Sequence, residues 1–439
     1  MDPGTRRIAL ILLSTIYAFG FIDRVLIALV AEQLKADFLL SDFEIGLLGG
    51  TAFAVINAFA TIPVAFLAGR VSRKWITAAG LTIASAFTAL CSLTGSFTQL
   101  LILRLGMAGG SAGTESPAHA MISDMYEANR RAGALSILML GIPIASLVGS
   151  TLGGSLAEHY GWRTTFATIG LIGLGIALLG LALIQEPPRS PQHERSDPDL
   201  LQVTGRPLNM FLMLVGDPCL RHLLIGTCIT GLAVFGVQTF LPAFFSRTHG
   251  LDAAEAGLVY GLLSGIGSFL GTLLGGYGAQ ILARTDRRWL VAFPGVGAIL
   301  GAPIYALGLM QSEFAAAFPI MLLGTVFQFM IMGPAIAAIH NVMAPHHRAM
   351  GSAIFLLVMN FVGQGLGPPL AGFVSDLASA SAFGSGNYAQ VCAGEAGQIA
   401  GSACARAGAL GLQYAIIAFA GLYIWAGLHL IWGGYSRGR

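Results

Sequence analysis

The sequence IALILLSTIYAFGFIDRVLIALV, from Ile8 to Val30, carries two ionisable residues, Asp23 and Arg24, inside an otherwise apolar run. A helix of about 20 apolar residues spans the hydrocarbon core of a bilayer. Arg104 and Glu115 lie in a second such run further along the chain. Charged side chains at membrane depth are costly unless they pair or face water, so they are rare and usually functional. The pattern indicates a polytopic membrane protein with buried charges, which is typical of transporters.

The composition supports this class. The chain has 439 residues, of which 55% are hydrophobic and 10% charged, whereas soluble domains carry about 25% charged residues. We do not expect the first run to be a cleaved signal peptide, because it contains two charges and lacks a small-residue cleavage site. Apolar stretches long enough to cross a bilayer number twelve, near residues 8–30, 44–68, 75–95, 97–125, 133–157, 162–184, 220–246, 254–282, 289–310, 313–343, 349–376 and 408–433.

The loops between these spans predict the orientation, because cytoplasmic loops carry an excess of lysine and arginine. If the N-terminus is cytoplasmic, 17 such residues fall inside, and the outer loops hold only Lys35, Arg163, Arg247 and Arg406. We therefore expect both termini in the cytoplasm of a multi-pass protein, in a bacterial inner membrane. No basic run interleaved with aromatic residues suggests nucleic-acid binding.

A polar stretch divides the chain. Between Gln185 and Cys219, six prolines are mixed with charged residues, which is typical of a linker. This predicts an N-terminal six-helix bundle over 1–184, a cytoplasmic linker over 185–219 and a C-terminal six-helix bundle over 220–439.

The two halves repeat a pattern, which indicates pseudo-two-fold symmetry. Each contains a proline followed after seven and fourteen residues by a polar residue and an arginine, namely Pro117, Asp124 and Arg131, and Pro334, Asn341 and Arg348. A basic pair followed by tryptophan also recurs, as Arg73-Lys74-Trp75 and Arg287-Arg288-Trp289. Repeated six-span halves are typical of secondary transporters, in which the halves rock about a site near the midplane.

The loop after span two, AFLAGRVSRK over Ala65–Lys74, resembles the signature of the major facilitator superfamily: glycine, three residues, Asp-Arg, one residue, Gly-Arg-Arg/Lys. Arg70, Arg73 and Lys74 fit, while Gly69 stands where the signature has its acid. The resemblance extends over essentially the whole chain. It implies an all-α membrane protein of twelve transmembrane helices in two six-helix bundles.

The same resemblance assigns a cytoplasmic gating motif. Besides the residues of that loop, it includes Asp124 and Arg131. The second half has Gln280 where its own acid would fall. Because both acids are missing, at Gly69 and Gln280, we expect a loosened cytoplasmic latch and a bias toward cytoplasm-open states.

Within the superfamily, the chain is most similar to the Spinster-type lipid transporters and their bacterial relatives. The supporting segments are Asp23-Arg24, Arg104 seven residues before Ser111-Ala112-Gly113, Ile122-Ser123-Asp124, Arg130-Arg131-Ala132, Gly161-Trp162-Arg163 and Gly367-Pro368-Pro369. That family usually has a proton-carrying glutamate where this chain has Ser111. Glu115 lies one helical turn further along, and we hypothesise that it takes over the carboxylate's role.

Helix geometry groups the candidate residues of span four. At 100° per residue, Arg104, Ser111 and Glu115 project within about 40° of one another, so this face should line a cavity. Asp23 lies at a depth that permits pairing with Arg104. On the functional reading, Arg24 and Arg104 hold an anionic group through fork-shaped hydrogen bonds, and Asp23 and Glu115 carry protons. The alternative is a salt bridge that only pins span one to span four.

Further polar residues extend the predicted substrate site. His119 lies one turn from Glu115 and either contributes to the site, relays protons or makes an ordinary helix contact. Asn360 and Gln364 line the second half's cavity or bond neighbouring helices. A capping box formed by Ser41 and Glu44 starts span two.

The loop before the last span contains Cys392 and Cys404. On an oxidising outer side they pair as a disulfide; otherwise they stay as free thiols.

These features predict a proton-coupled secondary transporter that moves an amphiphilic anion, such as a lysolipid or sphingoid phosphate, by alternating access. The alternatives are a proton symporter for a small organic anion (a sugar acid or aromatic acid), a drug–proton antiporter and, last, a non-transporting membrane sensor. No phosphate-binding glycine loop, nucleophile elbow or metal-ligand spacing is present, so we expect no enzyme activity, cofactor or metal. The expected partners are the substrate, protons and membrane lipids, and the expected state is a monomer.

Overall fold

The computed structural model describes residues 3–187, 207–343, 347–384, 388–392 and 401–436, and these are almost entirely helical. The helices of the first half are α1 (Pro3–Phe38), α2 (Asp42–Gly46), α3 (Ala52–Arg70), α4 (Arg73–Cys91), α5 (Phe97–Met125), α6 (Ala128–Met139) and α7 (Gly141–Leu183). A π-helical turn, Leu47–Thr51, joins α2 to α3.

The helices that follow are α8 (Pro207–Gly216), α9 (Pro218–His249), α10 (Ala253–Ala283), α11 (Trp289–Leu309), α12 (Phe314–Gln328), α13 (Met332–Val342), α14 (Arg348–Phe383), α15 (Tyr388–Cys392) and α16 (Gly401–Tyr435). Helix α8 lies inside the predicted linker. Its sequence, PLNMFLMLVG, is apolar, and Met210 and Leu214 are buried in the hydrophobic core of the second half. The rest of the linker, over 188–206, lies outside the described residues.

Ten described helical stretches are long and apolar enough to cross a membrane. One of them, Gly133–Leu183, contains two predicted spans, which meet at Gly161, where the backbone has a φ of 78°. Helix α5 is less apolar than these ten because it carries Arg104, Glu115 and several glycines. With α5 included and the long stretch divided, the helices correspond to the twelve predicted spans. The predicted all-α membrane fold is confirmed.

Contacts divide the chain into two compact units. The first comprises the described residues among 1–38, 52–200 and 253–258, and the second those among 39–51, 201–252 and 259–439. Short segments at the starts of spans two and eight therefore group with the opposite half of the sequence. The six-plus-six division at 185–219 stays a prediction.

Small residues allow close helix packing in the first unit. A Cβ atom on Gly80 of α4 would lie 2.8 Å from both the carbonyl oxygen of Gly110 and the Cα of Gly113 in α5. The two backbones therefore touch, which larger side chains would prevent. This contact fixes α4 against α5, the two helices that carry Thr88 and Arg104.

An outer corner of the first unit is fixed by Asp37 at the end of α1. Its Oδ2 accepts hydrogen bonds from Trp162 Nε1 at 2.8 Å and from Arg163 Nη1 at 2.6 Å. Arg163 Nη2 also donates to the carbonyl oxygen of Thr94 at 3.3 Å. The Gly161-Trp162-Arg163 segment therefore ties the connection between spans five and six to the end of span one.

Candidate functional site

Helix α1 presents Asp23 and Arg24 to two different neighbours, because consecutive residues of a helix point about 100° apart. Asp23 is completely buried, whereas the side chain of Arg24 is 18% exposed. Arg24 forms an ion pair with Glu115 of α5, from Nη2 to Oε1. The predicted charges of spans one and four are thus brought together, through Arg24 and Glu115.

The Arg24 guanidinium is also held by aromatic rings. Its carbon lies 4.2 Å from the ring centroid of Phe53 and 5.3 Å from that of Phe21, in the range of cation–π attraction. Its Nε is buried and has no hydrogen-bond partner among the described residues. The Glu115 side chain is 42% exposed, so the pair has one sheltered and one accessible member.

Asp23 and Arg104 form a second, fully buried part of the cluster. Arg104 is 1% exposed, and its Nη1 donates to the backbone carbonyl oxygen of Asp23 at 3.1 Å. Thr88 of α4 donates to Asp23 Oδ1 at 2.9 Å. The expected proximity of Asp23 and Arg104 is present, but the hydrogen bond of Arg104 goes to the main chain of Asp23, while Thr88 engages one oxygen of the carboxylate.

Several polar atoms of this buried part keep unused bonding capacity. Asp23 Oδ2, Arg104 Nε and Arg104 Nη2 are buried and have no hydrogen-bond partner among the described residues. Burying a polar group without a partner costs free energy, so such groups need an explanation. The two nitrogens of Arg104 are donors that an anionic group would satisfy. Asp23 Oδ2 is an acceptor that a proton would satisfy.

Ser111 and His119, predicted on the same face of α5, have different surroundings. Ser111 is fully buried and its hydroxyl donates to the carbonyl oxygen of Met107 at 3.2 Å, so it bonds its own helix and does not line open space. His119 is half-buried, and its ring packs edge-on against Tyr17 with centroids 5.6 Å apart. Of the two, only His119 is partly accessible.

The predicted site residues of the second half lie on α14. Asn360 is exposed and Gln364 is 6% exposed. Next to the second half's tyrosines, a cavity of about 10 Å³, the size that holds one water, is lined by Gln328, Tyr305 and Ser264, among others. Tyr305 could not be singled out from sequence, because a tyrosine in an apolar span carries no distinguishing signal.

The cytoplasmic motif forms an ion network in the first unit. Arg73 pairs with Asp124, and both side chains are almost fully buried. Glu186 accepts from the Ser72 hydroxyl and, at 2.8 Å, from the backbone N–H of Arg73. The network ties the start of α4 to the ends of α5 and α7.

The other members of the motif are more loosely engaged. The Arg70 guanidinium carbon lies 3.9 Å from the ring centroid of Phe66, and Lys74 is half-buried. The side-chain surroundings of Gly69 and Arg131 lie outside the described part.

A buried cluster in the second unit was missed from sequence. Arg247 donates to both carboxylate oxygens of Asp42, at 2.7 and 2.9 Å, and Ser375 donates to Asp42 Oδ2 at 2.6 Å. Asp376 accepts from the backbone N–H groups of Asp42 and Phe43, which caps α2. The capping box of Ser41 and Glu44 is confirmed beside it. An isolated aspartate near a span end gives no hint of such partners.

Cys392 and Cys404 form a disulfide, with Cα atoms 5.6 Å apart. Nearby, burial raises the pKa of Tyr388, and the positive charge of Arg247 opposes that shift. Among the described residues, no three His, Cys, Asp or Glu side chains are grouped as a metal site.

These features define a multi-pass membrane transporter. The family model of the Major Facilitator Superfamily matches residues 12–368 of this chain. The chain therefore belongs to that superfamily. It is a transporter and not an enzyme, with the superfamily's fold of twelve transmembrane helices in two pseudo-symmetric bundles.

The chain is similar to two kinds of transporter, an efflux pump and the spinster proteins. An MFS-type efflux pump from Mycolicibacterium smegmatis is 31% identical and covers 83% of this chain and 83% of its own length. Protein spinster homolog 1 from Homo sapiens is 24% identical over 86% of this chain and 74% of its own length.

Solved structures agree on the fold. The crystal structure of a bacterial homologue of the human lysosomal transporter Spinster, inward-facing and unoccupied, covers 99% of this chain and 98% of its own, at 28% identity and a TM-score of 0.87. The nucleoside transporter NupG, at 14% identity and a TM-score of 0.68, shows the fold alone.

Proposed function

We propose that the chain is a proton-coupled secondary carrier for an amphiphilic anion, such as a lysolipid or sphingoid phosphate, and works by alternating access. The Arg24–Glu115 pair is the observation that carries the proposal. It places the charge of a guanidinium and an accessible carboxylate in contact, and Arg104 adds two donors that have no hydrogen-bond partner in the described part of the chain.

In this mechanism, the cargo and Glu115 compete for Arg24. An incoming phosphate or carboxylate takes the guanidinium through paired N–H donors, because that planar fork matches both groups. Glu115 then loses its cation and takes up a proton from water, since its side chain is 42% exposed. Each anion bound therefore brings one proton into the site. When the cargo leaves, Glu115 releases the proton and re-forms the ion pair.

Asp23 and Arg104 take part in the second step of the same mechanism. Arg104 Nε and Nη2 provide donors for the anion once Arg24 has moved, and Asp23 Oδ2 accepts the proton that keeps the buried cluster neutral. Neutrality matters, because an uncompensated charge at this depth is costly. His119 beside Tyr17 lines the approach to Glu115. Asn360 and Gln364 belong to the substrate site in the second half.

The amphiphilic cargo rests on the Spinster resemblance. An efflux function, as a drug–proton antiporter, is the second candidate, because the efflux pump from Mycolicibacterium smegmatis is the relative at 31% identity. A symporter for a small organic anion ranks third. All three use the same charged pair and differ in the cargo and in the direction of proton flow.

Proteoliposome uptake separates these candidates. The purified carrier is reconstituted, and uptake of labelled lysolipid phosphate, labelled sugar acid and a cationic dye is measured with and without a pH gradient. We expect lysolipid uptake that accelerates when protons and cargo move the same way. Movement of the dye alone, against the proton flow, would establish the antiporter instead.

Glu115→Gln tests the coupling in the same assay, with Glu313→Gln as its matched control. Glu313 is exposed and its side chain makes no capping hydrogen bond at the start of α12, so the control loses the same charge without touching the site. We expect Glu115→Gln to transport without a response to the pH gradient. A gradient response equal to that of the control removes Glu115 from the mechanism.

The proposed setting is a bacterial inner membrane with both termini in the cytoplasm, where the carrier works as a monomer among membrane lipids. Reporter fusions at each terminus test the orientation, and a periplasmic signal from either one rejects it.

A further inference from the structure

In the basic loop of the first half, the charge of Arg73 is neutralised within the protein. Arg73 pairs with Asp124, and the two side chains are only 6% and 1% exposed. Glu186 also accepts the backbone N–H of Arg73. Two carboxylates therefore meet this loop and Arg73 is sealed from solvent, while Arg70 is exposed and packs on the Phe66 ring.

In the equivalent loop of the second half, fewer carboxylates face the arginines of the described residues. The repeat aligns Arg287 with Arg73 and the neutral Asn341 with Asp124. Arg284 and Arg287 are exposed, and neither forms an ion pair with a described residue. Among the described residues, the one ion pair of this loop joins Asp286 Oδ2 to the Nε of Arg288, at 3.9 Å. Three guanidinium groups thus share one carboxylate.

A large cavity opens at this loop. Its volume is about 1140 Å³, and it is lined by all three arginines, Asn341 and residues of α10, α11 and α13. A water molecule occupies about 30 Å³ of liquid, so the space accepts a sizeable group. The apolar lining includes Leu273 and Tyr277, which are 41% and 65% exposed on a helix that crosses the membrane.

We propose that this cavity binds the phosphate headgroup of an anionic membrane phospholipid. The phosphate takes the role that the Asp124 carboxylate has in the first half, and arginine forks match phosphate oxygens. A phospholipid fits better than a soluble phosphate, because Leu273 and Tyr277 offer an apolar surface to its chains. Basic residues beside a membrane helix attract anionic lipids of the cytoplasmic leaflet, the side predicted for this loop.

Lipid titration of the purified full-length protein in detergent tests the proposal without any transport assay. Native mass spectrometry counts bound phosphatidylglycerol, with phosphatidylcholine and inorganic phosphate as separate arms. We expect saturable phosphatidylglycerol binding that phosphatidylcholine does not reproduce. Arg287→Gln should raise the apparent Kd about tenfold, since a hydrogen bond to a charged group contributes roughly that much.

Two further variants keep the result interpretable. Gly276→Leu fills the cavity without changing charge, and a Cβ there meets nothing within 4 Å, so the fold should tolerate it. It should weaken binding as strongly as Arg287→Gln. Arg7→Gln removes an exposed arginine of α1 on the same predicted side of the membrane and should leave binding unchanged.

Three outcomes would overturn the proposal. Equal binding of phosphatidylcholine means that the headgroup charge is not recognised. Inorganic phosphate that competes fully at the same concentration identifies a site for soluble anions. An equal loss of binding in Arg7→Gln shows that general surface charge, not the cavity, attracts the lipid.

Discussion

Helix α5 and its repeat, α12 with α13, have diverged in charge at equivalent positions. The register that aligns Pro117 with Pro334 pairs Arg104 with Met321, Ser111 with Gln328 and Glu115 with Met332. Arg104 and Met321 are both fully buried, at 1% and 0% exposure. Because a thioether fills the equivalent place in the second half, the helix does not need a charge there. The charges of the first half therefore require a functional explanation.

The largest expected effect comes from making the first half resemble the second. Arg104→Met should destabilise the protein by about 3 kcal/mol, because it leaves Asp23 as a buried charge without its cation. Thermal unfolding in detergent measures the loss. Adding Asp23→Asn should recover most of the stability, since no charge then remains unpaired. A double variant as unstable as the single one would show that Arg104 acts through packing.

The next effect concerns Arg24. Arg24→Ala should lower anion uptake about 100-fold, because the cargo loses its paired charged hydrogen bonds. Arg24→Lys keeps the charge but loses the planar fork, so it should retain an intermediate rate. Initial rates in proteoliposomes give the comparison. A rate for Arg24→Lys equal to that of the unmodified carrier would mean that the arginine geometry is irrelevant.

Much of the fold could be predicted from sequence, since runs of about 20 apolar residues mark helices that cross a bilayer. The capping box of Ser41 and Glu44 was equally readable, because its partners lie three residues apart. The pairing of Arg24 with Glu115 was not. These residues are 91 positions apart, and helix rotation and tilt decide which arginine reaches which carboxylate.

Other parts of the site lack any sequence signal. Thr88 is one of many threonines in apolar spans, yet its hydroxyl engages the Asp23 carboxylate. Asp42, Arg247 and Ser375 come from three distant segments and meet only in the folded chain. Helical periodicity also placed Ser111 on the polar face, but local packing buries it against Met107.

A smaller effect is expected at the cytoplasmic loops, where each half lacks the acid of the superfamily signature. Gly69→Asp should restore it and shift the carrier toward outward-open states by about threefold, since an exposed ion pair contributes under about 1 kcal/mol. Labelling of cysteines introduced on the two sides reports the shift. Gly69→Asn is the neutral control, and no difference between the two variants rejects a latch.

The smallest effect is expected in the second half. Gln328→Leu should change the free energy of unfolding by less than about 1 kcal/mol, because Nε2 has no described partner to lose. The same unfolding assay serves, with Arg104→Met as the sensitive reference. A loss as large as that of the reference would mean that the second half also depends on a buried polar network.

The π-helical turn at Leu47–Thr51 is a place where the chain should tolerate the deletion of one residue. Such a turn inserts one extra residue into a helix, so deleting one residue there converts it to ordinary α-helical winding. The same deletion within α5 would rotate every following side chain by about 100°. Homologues that differ by a single-residue gap should therefore place it in this turn, and amide hydrogens here should exchange sooner than those of the adjoining helices.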